Sequence, residues 1–99
     1  MARLGVEQRA RIAKALADDR RFGILEAIAR TEELSCRDLV ERLPIAQATV
    51  SHHLKELANA GLIAVRQEGQ CRFYQLRTDT VAEYVRQLEH RLLGRRALV

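Results

Sequence analysis

No apolar run in this chain approaches the roughly 20 residues that a bilayer-spanning helix needs. The opening residues Met1-Ala2-Arg3-Leu4-Gly5-Val6-Glu7 lead into mixed charge instead of an apolar signal core, so the expected location is the cytoplasm. There are only two cysteines, Cys36 and Cys71, too few for a disulfide scaffold and not arranged as Cys-x-x-Cys. One proline, Pro44, and five glycines punctuate the chain without a linker, an internal repeat or a low-complexity stretch. No Gly-rich phosphate loop and no nucleophile–base constellation is visible, and so short a chain has little room to wall a catalytic pocket. An enzyme is therefore not expected, and neither is a cofactor.

What is present points elsewhere. A hydrophobic fraction of 47% is that of a folded chain, and 99 residues make one domain, 1–99, or a domain completed by a second copy. Lys and Arg number 17 against 13 Asp and Glu, a net charge of +4 that favours an anionic partner.

Apolar periodicity predicts a helix over about 6–18, with Val6, Ala10, Ala13, Leu16 and Ala17 on one stripe. Asp18 or Asp19 is placed to cap a second helix at about 20–30, whose first-turn Arg20 and Arg21 suit an anion or a carboxylate better than a helix N-terminus. Ser35 with Asp38 three residues on forms a capping-box pattern for a short helix that stops at Pro44. The next helix runs from about Gln47 to Ala60 and ends at Gly61, with Val50, Leu54 and Leu57 on its buried face. Two helices around a tight turn, spanning about 36–60, are a helix-turn-helix. Strand patterns at 62–66 and 71–76 around Gln67-Glu68-Gly69-Gln70 make a hairpin, a wing over about 62–76. A last helix at about 79–94, capped by Asp79 or Thr78, spaces Val81, Val85, Leu88 and Leu92 by 4, 3 and 4, the seam of two packed helices. The fold class expected is mainly α with a small β-hairpin: about five helices and a two-stranded wing.

On the helix after the turn, Gln47 and Ser51 are four apart, Ala48 and His52 are four apart, and Lys55 follows one turn later, flanking Thr49 and opposite the apolar stripe. Short, mostly uncharged side chains near the N-terminus are what a helix needs to enter a major groove and bond to base edges. Gln47, Thr49, Ser51 and His52 are the candidate readers, and Lys55 suits phosphate. Arg66 and Arg72 flank the wing turn, placed either to touch DNA backbone or minor groove or to protect a strand edge. A winged helix that binds protein would present an apolar face here, which Gln47, Ser51, His52 and Lys55 do not. A lone copy would leave the last helix's seam exposed, so a homodimer is expected, with Val6, Leu16, Val81, Val85, Leu88 and Leu92 at the interface.

Ala17 to Leu25, Glu33 to Leu39, Ala46 to Leu57, Ala60-Gly61-Leu62-Ile63 and Gly69 to Leu76 together resemble the ArsR/SmtB family of winged-helix repressors, Thr49-Val50-Ser51-His52-His53-Leu54-Lys55 most specifically. The resemblance implies a homodimer on the first and last helices (6–18 and 79–94), two recognition helices on an imperfect inverted repeat of double-stranded DNA, and repression relieved by an effector. Ala46 and Ala48 depart from the serines the family often carries, which weakens the recognition helix's N-cap and removes one DNA contact. The family's metal sensors use a Cys-x-Cys pair where this chain has Ser35 and Arg37, and a last-helix set where it has Asp79 with Val81 and His90 with Leu93. Neither metal site is expected, and the effector is left unidentified. Cys36, in the first turn of a helix beside Arg37, has the setting of a redox-active thiol, although a free cysteine also packs as a small hydrophobe. Cys71 on the wing carries the same two readings. His52 is assigned to DNA, His53 to packing or a polar contact, and His90 to solvent.

Overall fold

A computed structural model describes residues 3–94. Residues 1–2 and 95–99, part of the expected 1–99 domain, lie outside the described residues. The order is α1 (Val6–Ala17), α2 (Asp19–Ala29), β1 (Leu34–Ser35), α3 (Cys36–Arg42), α4 (Gln47–Asn59), β2 (Ile63–Glu68), β3 (Cys71–Leu76) and α5 (Thr78–Leu88), whose end widens into a π-helical turn over Glu89–Leu93. Helices α1 to α4 enclose a core of Ile12, Ile24, Ile28, Leu39, Val50, Leu54 and Leu57, closed at the wing by Leu62, Ile63 and Tyr74. Among the described residues no helix is long and apolar enough to cross a membrane.

Local chemistry accounts for the boundaries. Asp18 Oδ1 accepts from the Arg21 backbone N–H at 3.0 Å, which caps α2 and holds that carboxyl below its ordinary range. The capping box of α3 is complete: Ser35 Oγ accepts from the Asp38 N–H at 3.0 Å, and Asp38 Oδ2 accepts from the Ser35 N–H at 3.2 Å. Gly61 follows α4 with φ at +79°, and a Cβ built there would stand 2.6 Å from Gln8 Nε2. Glycine therefore serves twice at this position, for the left-handed turn and for the approach of α1.

Two expectations are refined and one, the α5 cap, is corrected. The stripe assigned to α1 lies mostly outward: Ile12 and Ala15 are buried, Leu16 is partly buried, and Val6, Ala10, Ala13 and Ala17 are exposed. The wing is not only a hairpin. Leu34 and Ser35 pair antiparallel with Tyr74 and Phe73, giving a three-stranded sheet ordered β1-β3-β2. Two residues are too short for alternation to reveal a strand. Finally, α5 begins at Thr78 behind Arg77, and neither Thr78 nor Asp79 is its N-cap.

Candidate nucleic-acid interface

Helix α4 divides cleanly into two faces. Val50, His53, Leu54 and Leu57 are buried, whereas Gln47, Ala48, Ser51, His52 and Lys55 are exposed and Thr49 is half-buried between them. The N-cap position is Ala46, which supplies no side-chain hydrogen bond, so the leading N–H groups of α4 lack a side-chain cap. Helix α3 packs across α4 after the turn at 43–46, with the hydrogen bond from Leu43 N–H to the Leu39 carbonyl closing α3.

His53 is held by a chain that starts on α2. Arg21 Nε donates to His53 Nδ1 at 3.2 Å, and the Arg21 backbone is itself fixed by Asp18. The imidazole is therefore a neutral acceptor, and burial lowers its pKa despite the opposing pull of Asp18. Its ring lies 5.9 Å from that of His52, which stands on the exposed face. Arg21 thus meets a side chain of the domain, while Arg20 is exposed.

The two wing arginines occupy different environments. Arg66 binds Glu33 through Nη2 at 2.7 Å and Nε at 3.2 Å, pairs with Glu68 through Nη1, and lies 4.6 Å over the Phe73 ring. These bonds depress the Glu33 carboxyl and raise the guanidinium further above its ordinary value. Arg66 thus fastens β2 to the segment before β1. Arg72 is exposed and has no ion pair among the described residues. It shares with Ser51, Lys55 and Tyr74 a groove of about 540 Å³ between α4 and the wing. Gln47, Ser51, His52, Lys55 and Arg72 therefore form one exposed polar and basic edge.

The residues assigned to an interface between copies lie on a different surface. Val85 is 46% exposed, Leu88 40%, Leu92 76% and Val6 73%, with Val81 and Leu16 half-buried. Cys36 is half-buried at the start of α3, its Sγ 4.0 Å from Ser51 Oγ, and Cys71 is exposed on β3. Among the described residues no group of three or more His, Cys, Asp or Glu is placed to hold a metal ion.

A helix-turn-helix domain family model matches residues 16–66. The chain is 34% identical over 77 residues to the arsenical resistance operon repressor of Staphylococcus aureus, covering 78% of this chain and 73% of that protein. It is 38% identical over 78 residues to the uncharacterised HTH-type transcriptional regulator YceK of Bacillus subtilis, 78% of each chain. Among solved structures it is similar, with a TM-score of 0.70 and 29% identity, to a homodimeric winged helix-turn-helix DNA-binding domain of a possible ArsR-family regulator from Mycobacterium bovis, over 91% of this chain and 93% of that one.

The chain is a DNA-binding transcriptional regulator of the ArsR/SmtB family.

In this ArsR/SmtB regulator the periodicity of α4 separated the exposed face from the buried one. Sequence reasoning missed the partners of Arg66 and of Arg21. Glu33 is 33 residues before Arg66, and His53 is 32 residues after Arg21. No local spacing connects such pairs; the residue types were readable, but their juxtaposition depends on the β1–β3 pairing and on the packing of α2 against α4.

Proposed function

We propose that this regulator is a homodimeric repressor that reads an inverted-repeat operator with helix α4 and steadies each half-site with the wing. The observation that carries the reading is the exposed edge of Gln47, Ser51, His52 and Lys55 on a helix whose opposite face is buried in the core. In this reading Gln47, Ser51 and His52 bond to base edges, Thr49 supports them from the margin of the helix, and Lys55 and Arg72 meet phosphate. Arg66 acts on DNA through the position of the wing. The uncapped start of α4 offers N–H donors and a positive dipole end to a phosphate oxygen.

Pairing with a second copy is supported by the α5 seam. Besides the exposed Val85, Leu88 and Leu92, an almost wholly apolar cleft of about 370 Å³ opens between α2 and α5, lined by Leu16, Phe22, Leu25, Val81, Tyr84 and Leu88. Such a surface is better covered by a copy of itself than by water. A two-fold pair sets two α4 helices about one DNA turn apart, which calls for a palindromic site. Occupying such a site at a promoter blocks transcription, and an effector that loosens the pair or the wing restores it.

The test is fluorescence anisotropy with the promoter duplex of the regulator's own gene and a scrambled duplex, at two salt concentrations. The reading expects promoter preference and steep salt dependence. Ser51→Ala and His52→Ala should weaken promoter binding more than scrambled binding. Equal losses on both duplexes would remove the assignment of base readout to α4.

A further inference from the structure

We infer that Arg20 and Arg21 grip DNA phosphate along the border of α4 opposite the wing, so that the reading helix is held to both strands of the duplex. This grip rests on the reading of α4 as the groove-entering helix and adds the strand on its far side.

The turn of the helix places the two borders. At about 100° per residue, Ser51 and His53 stand about 200° apart around α4, with His52 about midway between them. The Ser51 border belongs to the wing, since Ser51 and Lys55 share a groove with Arg72. The His53 border belongs to α2, where Arg21 Nε donates to His53 Nδ1 at 3.2 Å. Arg20 stands close enough to act electrostatically on the same imidazole. The exposed face that runs from Ser51 through Lys55 to His52 is therefore bordered by Arg72 on one side and by Arg20 and Arg21 on the other.

That spacing matches the groove. A major groove is about 12 Å wide, and an α-helix with its side chains is about 10–12 Å across. A helix laid in the groove thus brings each of its borders against one sugar-phosphate strand, and a cation on each border meets a different strand.

The charges on the α2 side are not answered within the domain. Cations in a first turn oppose the helix dipole, so two arginines there call for an anion. Arg21 meets a neutral imidazole instead, and neither Arg20 nor Arg21 has an ion pair among the described residues. Asp18 accepts from the Arg21 backbone N–H, and neither it nor the exposed Asp19 pairs with a guanidinium. Arg66 is the contrast, a wing arginine already closed by Glu33 and Glu68. Arg21 spends its Nε–H on His53, which fixes the side chain at the seam of α2 and α4 and leaves its other donors for a phosphate oxygen. Arg20 is exposed beside it.

Anisotropy titrations at several salt concentrations compare the full chain with Arg20→Gln and Arg21→Gln, each on the promoter duplex of the regulator's own gene and on a scrambled duplex. A homodimer presents each arginine twice, so each substitution should lower the slope of log affinity against log salt by about 1.8, and affinity at about 0.15 M salt by about thirtyfold. Both duplexes should lose alike, because phosphate carries no sequence information. Arg20→Lys and Arg21→Lys keep the charge and should keep the slope. An unchanged slope in either glutamine variant would overturn the grip; in Arg21→Gln it would leave that residue as a prop for His53 alone. A slope that falls as far in the lysine variants would mean altered packing instead of a lost phosphate contact, and would overturn it too. The slopes are also read on the scrambled duplex, so a wild-type chain without promoter preference would count against the operator reading while the slopes still decided the grip.

Discussion

Lys55→Gln isolates the phosphate contribution of the reading edge. Lys55 is exposed one turn beyond Ser51, so its replacement removes a cation and leaves Val50, Leu54 and Leu57 in the core. Each phosphate neutralised contributes about 0.9 to the slope of log affinity against log salt, and a homodimer presents two such lysines, so the slope should fall by about 1.8. At about 0.15 M salt the same counterion release amounts to about fivefold per contact and about thirtyfold for two. Because phosphate carries no sequence information, promoter and scrambled duplexes should lose affinity alike. Arg66→Gln is the informative comparison. Its guanidinium is already engaged with Glu33 and Glu68 and stacked on Phe73, so the slope should be nearly unchanged. Anisotropy titrations of the three proteins at several salt concentrations read both quantities. An unchanged slope for Lys55→Gln, or an Arg66→Gln slope that falls as far, would refute the division of labour between helix and wing.

Three further outcomes follow from particular contacts. Val85→Asp or Leu88→Asp puts a charge into the α5 seam and should yield monomers with at most non-specific DNA binding; sedimentation showing an intact dimer would place the interface elsewhere. Ser35→Ala removes the acceptor for the Asp38 N–H in the capping box of α3 and should cost about 1 kcal/mol in chemical denaturation, with a loss well below that showing that β1 pairing alone holds the segment. Stability should fall on acidification in two stages. Folded His53 binds a proton less readily than in the unfolded chain, so stability is full above its ordinary pKa of 6.5 and declines as pH falls toward the lowered folded value. Glu83, held at about 2 by Arg86 and Gln87, contributes a second decline as pH falls from its ordinary 4.5. Thermal melts of His53→Asn should lose the first decline only; an unaltered profile would mean that His53 is not the group responsible.

The readable parts of this structure were those encoded by local spacing. The period of Val50, Leu54 and Leu57, the Ser35–Asp38 cap and Gly61 after α4 each act within a few residues, and each is found where the pattern puts it. The α1 stripe did not say which side of the helix is covered, because alanines dominate that helix and Ala10 is as apolar as Ala15; neighbouring elements decide it. Strand β1 was not legible for the opposite reason, since its two residues gain their conformation only by pairing with Phe73 and Tyr74. The exposed face of α4 was legible as a list of side chains, whereas the Arg66–Glu33 and Arg21–His53 contacts required the tertiary fold.

Strand β1 also joins two parts of the molecule that a loop would leave independent. It runs straight into the capped start of α3 and hydrogen-bonds to β3, while Arg66 and Glu33 clamp the same junction. The wing and the first arm of the helix-turn-helix therefore move as one lever. In the paired assembly proposed here, the footprint on a half-site is set inside each copy, and the distance between half-sites is set by the α5 seam. Substitutions at the seam can retune operator spacing without disturbing the grip on either half, and substitutions at the wing can retune the grip without altering the spacing.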